Sequence, residues 1–275
     1  MPRNSDSPVR VIVLSSVFLR HHYVINTLAS KLDVVGVWQE EKRFQPLTYA
    51  RDESDAAVIE RHFAARDESE AIFFKRHETL TLAPGAIHRM VAPSGCNDPA
   101  EVSLMRNLSP GLVVVFGTGI LREPVIEPFD GHIINLHLGL SPYYRGAGTN
   151  FWPLVNREPE CVGATIHYLD AGVDSGPIIG HVRPEVAVDD GPHDLGNKTV
   201  LAAGPMLAEA AILHTRGTPR AVPQSGAGRL YQRKHFSADS VRVLYRQFET
   251  GMIEEYLLQK TERDRRLNLV ALEAV

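Results

Sequence analysis

At 275 residues, with 44% apolar and 23% charged side chains, the chain can bury one substantial core and reads as a main domain with an appendage. A net charge of -4 gives no global pull toward nucleic acid or an anionic membrane, and the two cysteines, Cys96 and Cys161, match neither a disulfide framework nor a metal motif. The polar start M-P-R-N-S-D-S-P precedes an apolar run of strand length only, so a cytoplasmic protein without a signal peptide or membrane span is expected.

Along the chain, Val9 to Ser15 is a β-branched run that predicts a buried strand, Phe18 to Lys31 has helical spacing, and Leu32 to Trp38 predicts the next strand. Strand, helix, strand at this pitch begins a parallel α/β sheet. The charged segment Glu40 to Lys75 carries A-R-D-E-S twice, at Ala50 to Ser54 and Ala65 to Ser69. That separation is close to four helical turns, so one solvated helix is expected, with Phe63, Phe73 and Phe74 turned inward. Leu112 to Phe116 and Ile133 to Leu136 are apolar throughout, as buried parallel strands are. Arg216 to Arg229 is rich in Gly, Pro and Ser and reads as a linker. From Ser237 a helical pattern runs through Val241, Leu244, Tyr245, Phe248, Ile253, Tyr256 and Leu257, with Thr250-Gly251 as its break. The division expected is a domain over 1–215, then a linker and helical extension over 216–275 that docks on it. The fold class expected is α/β, a Rossmann-like and mostly parallel sheet flanked by helices.

The chemistry concentrates between Ile133 and Gly180. Asn135 and His137 end one apolar run, and an acidic loop, Asp170 to Asp174, closes another. An amide donor, a titratable ring and a carboxylate together suit acyl transfer through a tetrahedral intermediate. Gly117-Thr118-Gly119 follows a strand, but Arg122 stands where a dinucleotide fingerprint needs a third glycine. The loop fits better as a backbone surface for a flat heterocycle. The first strand ends in Ser15-Ser16-Val17-Phe18 without a glycine, which counts against a small phosphorylated acceptor there. None of the twelve histidines sits in a metal motif. His167 is balanced between a satisfied strand residue and a site residue, and Arg145 is read as structural.

At these residues the sequence resembles the folate-dependent formyltransferases, which include the glycinamide ribonucleotide, methionyl-tRNA and sugar N-formyltransferases and formyltetrahydrofolate deformylase. The resemblance rests on Asn135-Leu136-His137, on Pro142 to Gly146, and on Asp174-Ser175-Gly176-Pro177, and spans roughly Val9 to Leu213. It implies N10-formyltetrahydrofolate as donor co-substrate and a small-molecule amine as acceptor. It further implies Asn135 as oxyanion donor, His137 as its companion, and Asp174 as the group that tunes His137 and helps deprotonate the attacking ammonium. Gly119, Ile120, Leu121, Leu169, Asp170 and Asp174 would flank the pteridine, and Ser141, Tyr143 and Tyr144 would face the acceptor.

The chain departs from the family where many members read S-L-L-P after the histidine, since it reads Gly139-Leu140-Ser141-Pro142. This lies on the acceptor side and bears on substrate identity. The tail is short and helical, unlike the β-barrel of methionyl-tRNA formyltransferases, so no nucleic-acid partner is expected. A nucleotide-linked amino sugar is preferred over a siderophore-type hydroxylated amine. The alternatives are a deformylase using the same three side chains on water, and a folate-binding protein without turnover. The apolar faces of the tail leave a homo-oligomer open.

Overall fold

The computed structural model describes residues 9–42, 45–170, 172–217, 219–226 and 228–274. The polar start, and positions 171, 218 and 227 inside the acidic loop and the Gly/Pro-rich segment, lie outside them. The strands are β1 (Arg10–Ser16), β2 (Asp33–Glu40), β3 (Ile87–Val91), β4 (Leu112–Phe116), β5 (Ile133–His137), β6 (Tyr144–Gly146), β7 (Ala164–Tyr168), β8 (Ile178–Val182) and β9 (Arg229–Tyr231). The helices are α1 (Leu19–Ala29), α2 (Glu53–Phe74), α3 (Pro99–Asn107), α4 (Glu123–Ile126), α5 (Trp152–Val155), α6 (Pro192–Arg216), α7 (Ala238–Glu249) and α8 (Met252–Asp264). None is long and apolar enough to cross a membrane among the described residues.

Seven strands form one sheet in the order β3-β2-β1-β4-β5-β7-β8, and β6 pairs with β9 apart from it. Strands β1 to β5 pair in parallel, and β7 and β8 add on antiparallel. The expected strands at 9–15, 32–38, 112–116 and 133–136 all appear, because apolar side chains on both faces are what a sheet covered on both sides requires. Val11, Val13, Val114 and Ile134 meet α1 and α6 on one face, while Ile12, Leu14, Val113 and Val115 meet α3 and α4 on the other.

The charged segment differs from its expectation. Strand β2 runs to Glu40, a single 3-10 turn covers Pro46–Tyr49, and α2 starts only at Glu53. Asp52 accepts the Asp55 N–H at 2.9 Å, so the first A-R-D-E-S copy caps the helix and the second lies within it. Nor is α2 merely solvated. It buries Asp55, His62, Ser69 and Glu70, with Asp55 held by Arg51 and Arg242, and Glu70 by Arg20. Phe74 is buried and Phe73 packs beside it, as expected.

The tail breaks where its sequence says, with Gly251 at φ +73° between α7 and α8. Its Leu244, Met252, Ile253 and Tyr256 pack against Leu154, Val162, Val186 and Leu195. Arg242–Asp55 at 2.8 Å and Arg263–Glu160 at 2.6 Å add to the docking, so this apolar face is used within the chain. The segment read as a linker is tied down at Val222, which exchanges backbone hydrogen bonds of 2.8 Å with Ile178.

Helix α6 contains Pro205, which cannot donate to the Leu201 carbonyl one turn earlier. The Tyr23 hydroxyl donates to that carbonyl instead, at 2.8 Å. Gly204 makes room, since a Cβ there would stand 2.9 Å from the tyrosine ring. Tyr23→Phe is therefore expected to lower stability by about 1–2 kcal/mol, because a buried acceptor loses its donor. Urea unfolding measures it, and an unchanged midpoint would refute the account.

Where α2, α6 and α7 meet, His62 packs among His193, Phe151, Phe236 and Tyr245. Burial pushes His62 down to about 3 and His193 down to about 4. Below the ordinary histidine value of about 6.5 the unfolded chain takes up protons that the folded chain refuses. Stability is thus retained above pH 6.5 and lost as pH falls toward 4, at up to about 1.4 kcal/mol per pH unit for each ring. His62→Phe should flatten the fall in urea midpoint between pH 7 and 5, and an equally steep profile in the variant would contradict this.

Candidate active site

Alternation along β5 sends Leu136 into the core and turns Asn135 and His137 to the opposite face, where both are nearly buried. The antiparallel register with β7 sets Asn135 opposite His167 and His137 opposite Thr165. His167 Nδ1 lies 2.8 Å from the Tyr168 carbonyl, which can only accept, so that nitrogen carries the proton. Nε2 of the neutral ring then accepts from Asn135 Nδ2 at 3.0 Å. Burial holds the His167 pKa below its ordinary value, as this role requires. The carboxamide is thereby fixed in orientation, and its second N–H has no acceptor among the described residues.

Both nitrogens of His137 face oxygens. Nε2 is 3.3 Å from the Tyr144 carbonyl and Nδ1 is 3.3 Å from Asp174 Oδ1. Asp174 Oδ1 also lies 3.9 Å from His167 Nε2, a nitrogen that carries no proton in this tautomer, so the carboxylate contacts only His137 directly. Asp174 Oδ2 accepts the Gly146 N–H at 3.0 Å. Asp174 adopts φ +49°, a left-handed backbone that aspartate tolerates better than most residues. Gln224 Nε2 holds the turn by donating to the carbonyls of Asp174 at 2.8 Å and Gly176 at 2.9 Å.

The structure brings Asn135, His137 and Asp174 together and distributes the other expected residues more widely. Ile120 is 76% exposed and Val173, beside Asp174, is 50% exposed, so two apolar side chains stand open on the loops expected to flank the pteridine. Leu121 is buried and Leu169 packs beside it in the core, the latter donating to the Ile133 carbonyl at 2.9 Å. Asp170 accepts from Gly172 N and Ser175 Oγ and so shapes its own loop. The Gly119 N–H is committed to the buried Glu40 carboxylate at 2.9 Å.

On the acceptor side, Ser141 has its hydroxyl buried. Its N–H goes to Thr165 Oγ1 at 2.8 Å and its carbonyl accepts from His181 Nε2 at 2.8 Å, so it braces the loop and presents no hydroxyl to an acceptor. Tyr144 is likewise buried, with its hydroxyl held by Glu158, Asn156 and Arg229 and its ring stacked on Tyr231. Tyr143 is half-buried and its hydroxyl accepts the Asn268 N–H at 2.6 Å. Trp152, a candidate for stacking on a substrate, already stacks on Tyr231 at 4.4 Å.

Gly139 explains one departure from the family pattern. A Cβ there would stand 2.6 Å from His137 Nε2 and 2.6 Å from Thr149 Cβ. Thr149 fills that space with its hydroxyl on the Leu138 carbonyl, so a serine does not fit in this chain. Gln224 and Glu40 were not singled out by the sequence as site residues, whereas His167 was balanced between a strand and a site role and Gly146 closed the Pro142 to Gly146 motif.

A Cβ at Gly146, where φ is +90°, would come 2.1 Å from the Tyr231 carbonyl. Gly146→Ala is expected to cost about 2–3 kcal/mol of stability from strain and displaced backbone. It should also lower turnover by moving the N–H off Asp174. A stable, fully active variant in a denaturation and activity assay would show that this clamp is unnecessary.

Comparison with known proteins places the site in a family. A methionyl-tRNA formyltransferase of Alkaliphilus oremlandii is 29% identical over 140 residues, 50% of this chain and 45% of that protein. The chain thus matches less than half the length of that curated relative. A phosphoribosylglycinamide formyltransferase structure from Anaplasma phagocytophilum superposes with TM-score 0.56 at 18% identity, covering 82% of this chain and 99% of the other. A sugar N-formyltransferase from a Shewanella species gives 0.51 at 15% identity, covering 83% and 78%. These two likenesses show a shared fold, a mostly parallel sheet flanked by helices. The formyl transferase family model matches residues 9–211, and the chain belongs to that family.

Proposed function

We propose that the protein moves a formyl group from N10-formyltetrahydrofolate to a primary or hydroxylated amine of a small molecule. The observation that carries this reading is the meeting of three groups on one sheet face. These are an Asn135 N–H without an acceptor among the described residues, a His137 ring, and an Asp174 carboxylate 3.3 Å from that ring.

An uncharged amine attacks the formyl carbon, and the carbonyl oxygen gains negative charge. The Asn135 N–H is already aimed by His167 and stabilises that charge without reorganising. His137, oriented by Asp174 Oδ1 at 3.3 Å from its Nδ1, helps to hold the same oxygen once its Nε2 leaves the Tyr144 carbonyl. Asp174, directly or through water, takes the proton the amine must lose. As the bond from carbon to N10 breaks, N10 takes up a proton, and the products are tetrahydrofolate and the formamide. Ile120 and Val173 offer apolar contact for a flat pteridine between the two loops.

For the acceptor, a net charge of -4 carries no bias toward an RNA backbone and favours a small amine. A nucleotide-linked amino sugar is preferred over a hydroxylated diamine.

The test supplies N10-formyltetrahydrofolate with dTDP- or UDP-linked amino sugars, or N-hydroxylated diamines, and follows tetrahydrofolate. Acceptor-dependent turnover is expected, and Asn135→Ala should lower kcat about 10²–10³-fold, the usual effect of removing one oxyanion donor. Formate release without any amine would assign hydrolysis instead. An Asn135→Ala protein with undiminished kcat would remove the mechanism.

A further inference from the structure

Three buried side chains stand in one row across the sheet, His137 on β5, Thr165 on β7 and His181 on β8. His137 meets Asp174, while the other two bond to the turn that follows His137. His181 Nε2 lies 2.8 Å from the Ser141 carbonyl. Thr165 Oγ1 lies 2.8 Å from the Ser141 nitrogen and 2.6 Å from the Gly139 carbonyl. The tail reaches the same row. The Val270 N–H points at His181 Nδ1 from 2.9 Å, and the Val270 carbonyl accepts the His181 N–H at 2.8 Å.

An amide N–H can only donate, so Nδ1 is the bare nitrogen of His181 and Nε2 carries the proton. Burial lowers the His181 pKa and keeps the ring in this neutral form. In the other tautomer two donors would face each other at Val270 and two acceptors at Ser141. One backbone amide from the tail thus selects the ring form that can hold the turn. With that proton placed, every other donor follows. Val270 N–H donates to His181 Nδ1, His181 Nε2–H to the Ser141 carbonyl, and Ser141 N–H to Thr165 Oγ1. The Thr165 hydroxyl then donates to the Gly139 carbonyl, and the Gly139 N–H to the His137 carbonyl at 3.1 Å.

The bonds run in one direction from the tail to the backbone of His137, and buried chains of that kind strengthen one another. The same turn also governs the ring, because its Tyr144 carbonyl faces His137 Nε2 and its Gly146 N–H holds Asp174. We propose that His181 is a positioning residue for His137, held in the required tautomer by the Val270 amide. Val270 lies well beyond residue 211, where the family match ends, so this control is built by the chain's own tail. The inference rests on the role given to His137 above and deepens it.

The test compares the full chain with His181→Leu, His181→Gln and Val270→Pro, the last of which removes the tail's N–H. Formyl-transfer kinetics are read beside the NMR shifts of the histidine ring nitrogens. The unaltered protein is expected to show His181 neutral and protonated on Nε2. His181→Leu should lower kcat about ten- to a hundredfold and leave the KM for N10-formyltetrahydrofolate within about twofold, because the turn is loosened while the donor's contacts remain. His181→Gln, whose amide N–H can reach the Ser141 carbonyl, should recover most of that loss. Val270→Pro should also lower kcat and should add nothing to His181→Leu, as two links of one chain. Should Val270→Pro fail to fold, the His181 pair still decides. A normal kcat in His181→Leu, or a proton on Nδ1 of His181, would overturn the positioning role. The His137 ring shifts should move in His181→Leu whether or not an amine is formylated. If no amine is formylated, the reading of the reaction falls, and unmoved His137 shifts would overturn the positioning role separately.

Discussion

The antiparallel pairing of β7 on β5 is the constraint on which the site depends. β5 is bonded in parallel to β4 on one side and antiparallel to β7 on the other, so β7 starts level with His137 and ends level with Ile134. That register sets His167 opposite Asn135 and lets one side chain orient the next. It also leaves the chain after β7 at the lower edge of the face, from which the acidic loop folds back over it to deliver Asp174. A slip of one residue would send Asn135 and His137 into the core and Leu136 to the site.

Asp174 needs more than delivery, because a carboxylate on a loop gains nothing by being near an imidazole unless its position is fixed. The fixing groups come from far along the chain, the Gly146 N–H and the Gln224 amide. Gln224 and β9 lie beyond residue 211, where the family match ends, yet β9 pairs with β6 and Gln224 holds the Asp174 turn. The last wall of the site is thus built by this chain's own tail.

β1, β2, β4 and β5 were legible because burial on both faces writes itself as an unbroken apolar run, and the break at Gly251 because a left-handed residue between two helices favours glycine. Helix α6 was not, since Gly196, Gly204 and Pro205 argue against a helix locally. What permits it is the Tyr23 hydroxyl, contributed from another helix, and no local window contains that fact. The site divides the same way. Asn135 and His137 are two residues apart and announce themselves, the acidic loop Asp170 to Asp174 stood out beside them, and the resemblance picked Asp174 within it. Gln224 and Glu40 act on backbone groups far away in the sequence, where spacing carries no signal.

The Ser141 hydroxyl and Gly139 make the same point in opposite directions. Read in sequence, the extra hydroxyl at Ser141 suggested a contact with the acceptor, and the loss of a polar residue at Gly139 suggested a gap. In the structure the Ser141 backbone braces the loop while its hydroxyl is buried away from the site, and the space beside Gly139 is filled by Thr149. Neither change opens the site toward a different chemistry. Both belong to a closely packed turn after His137.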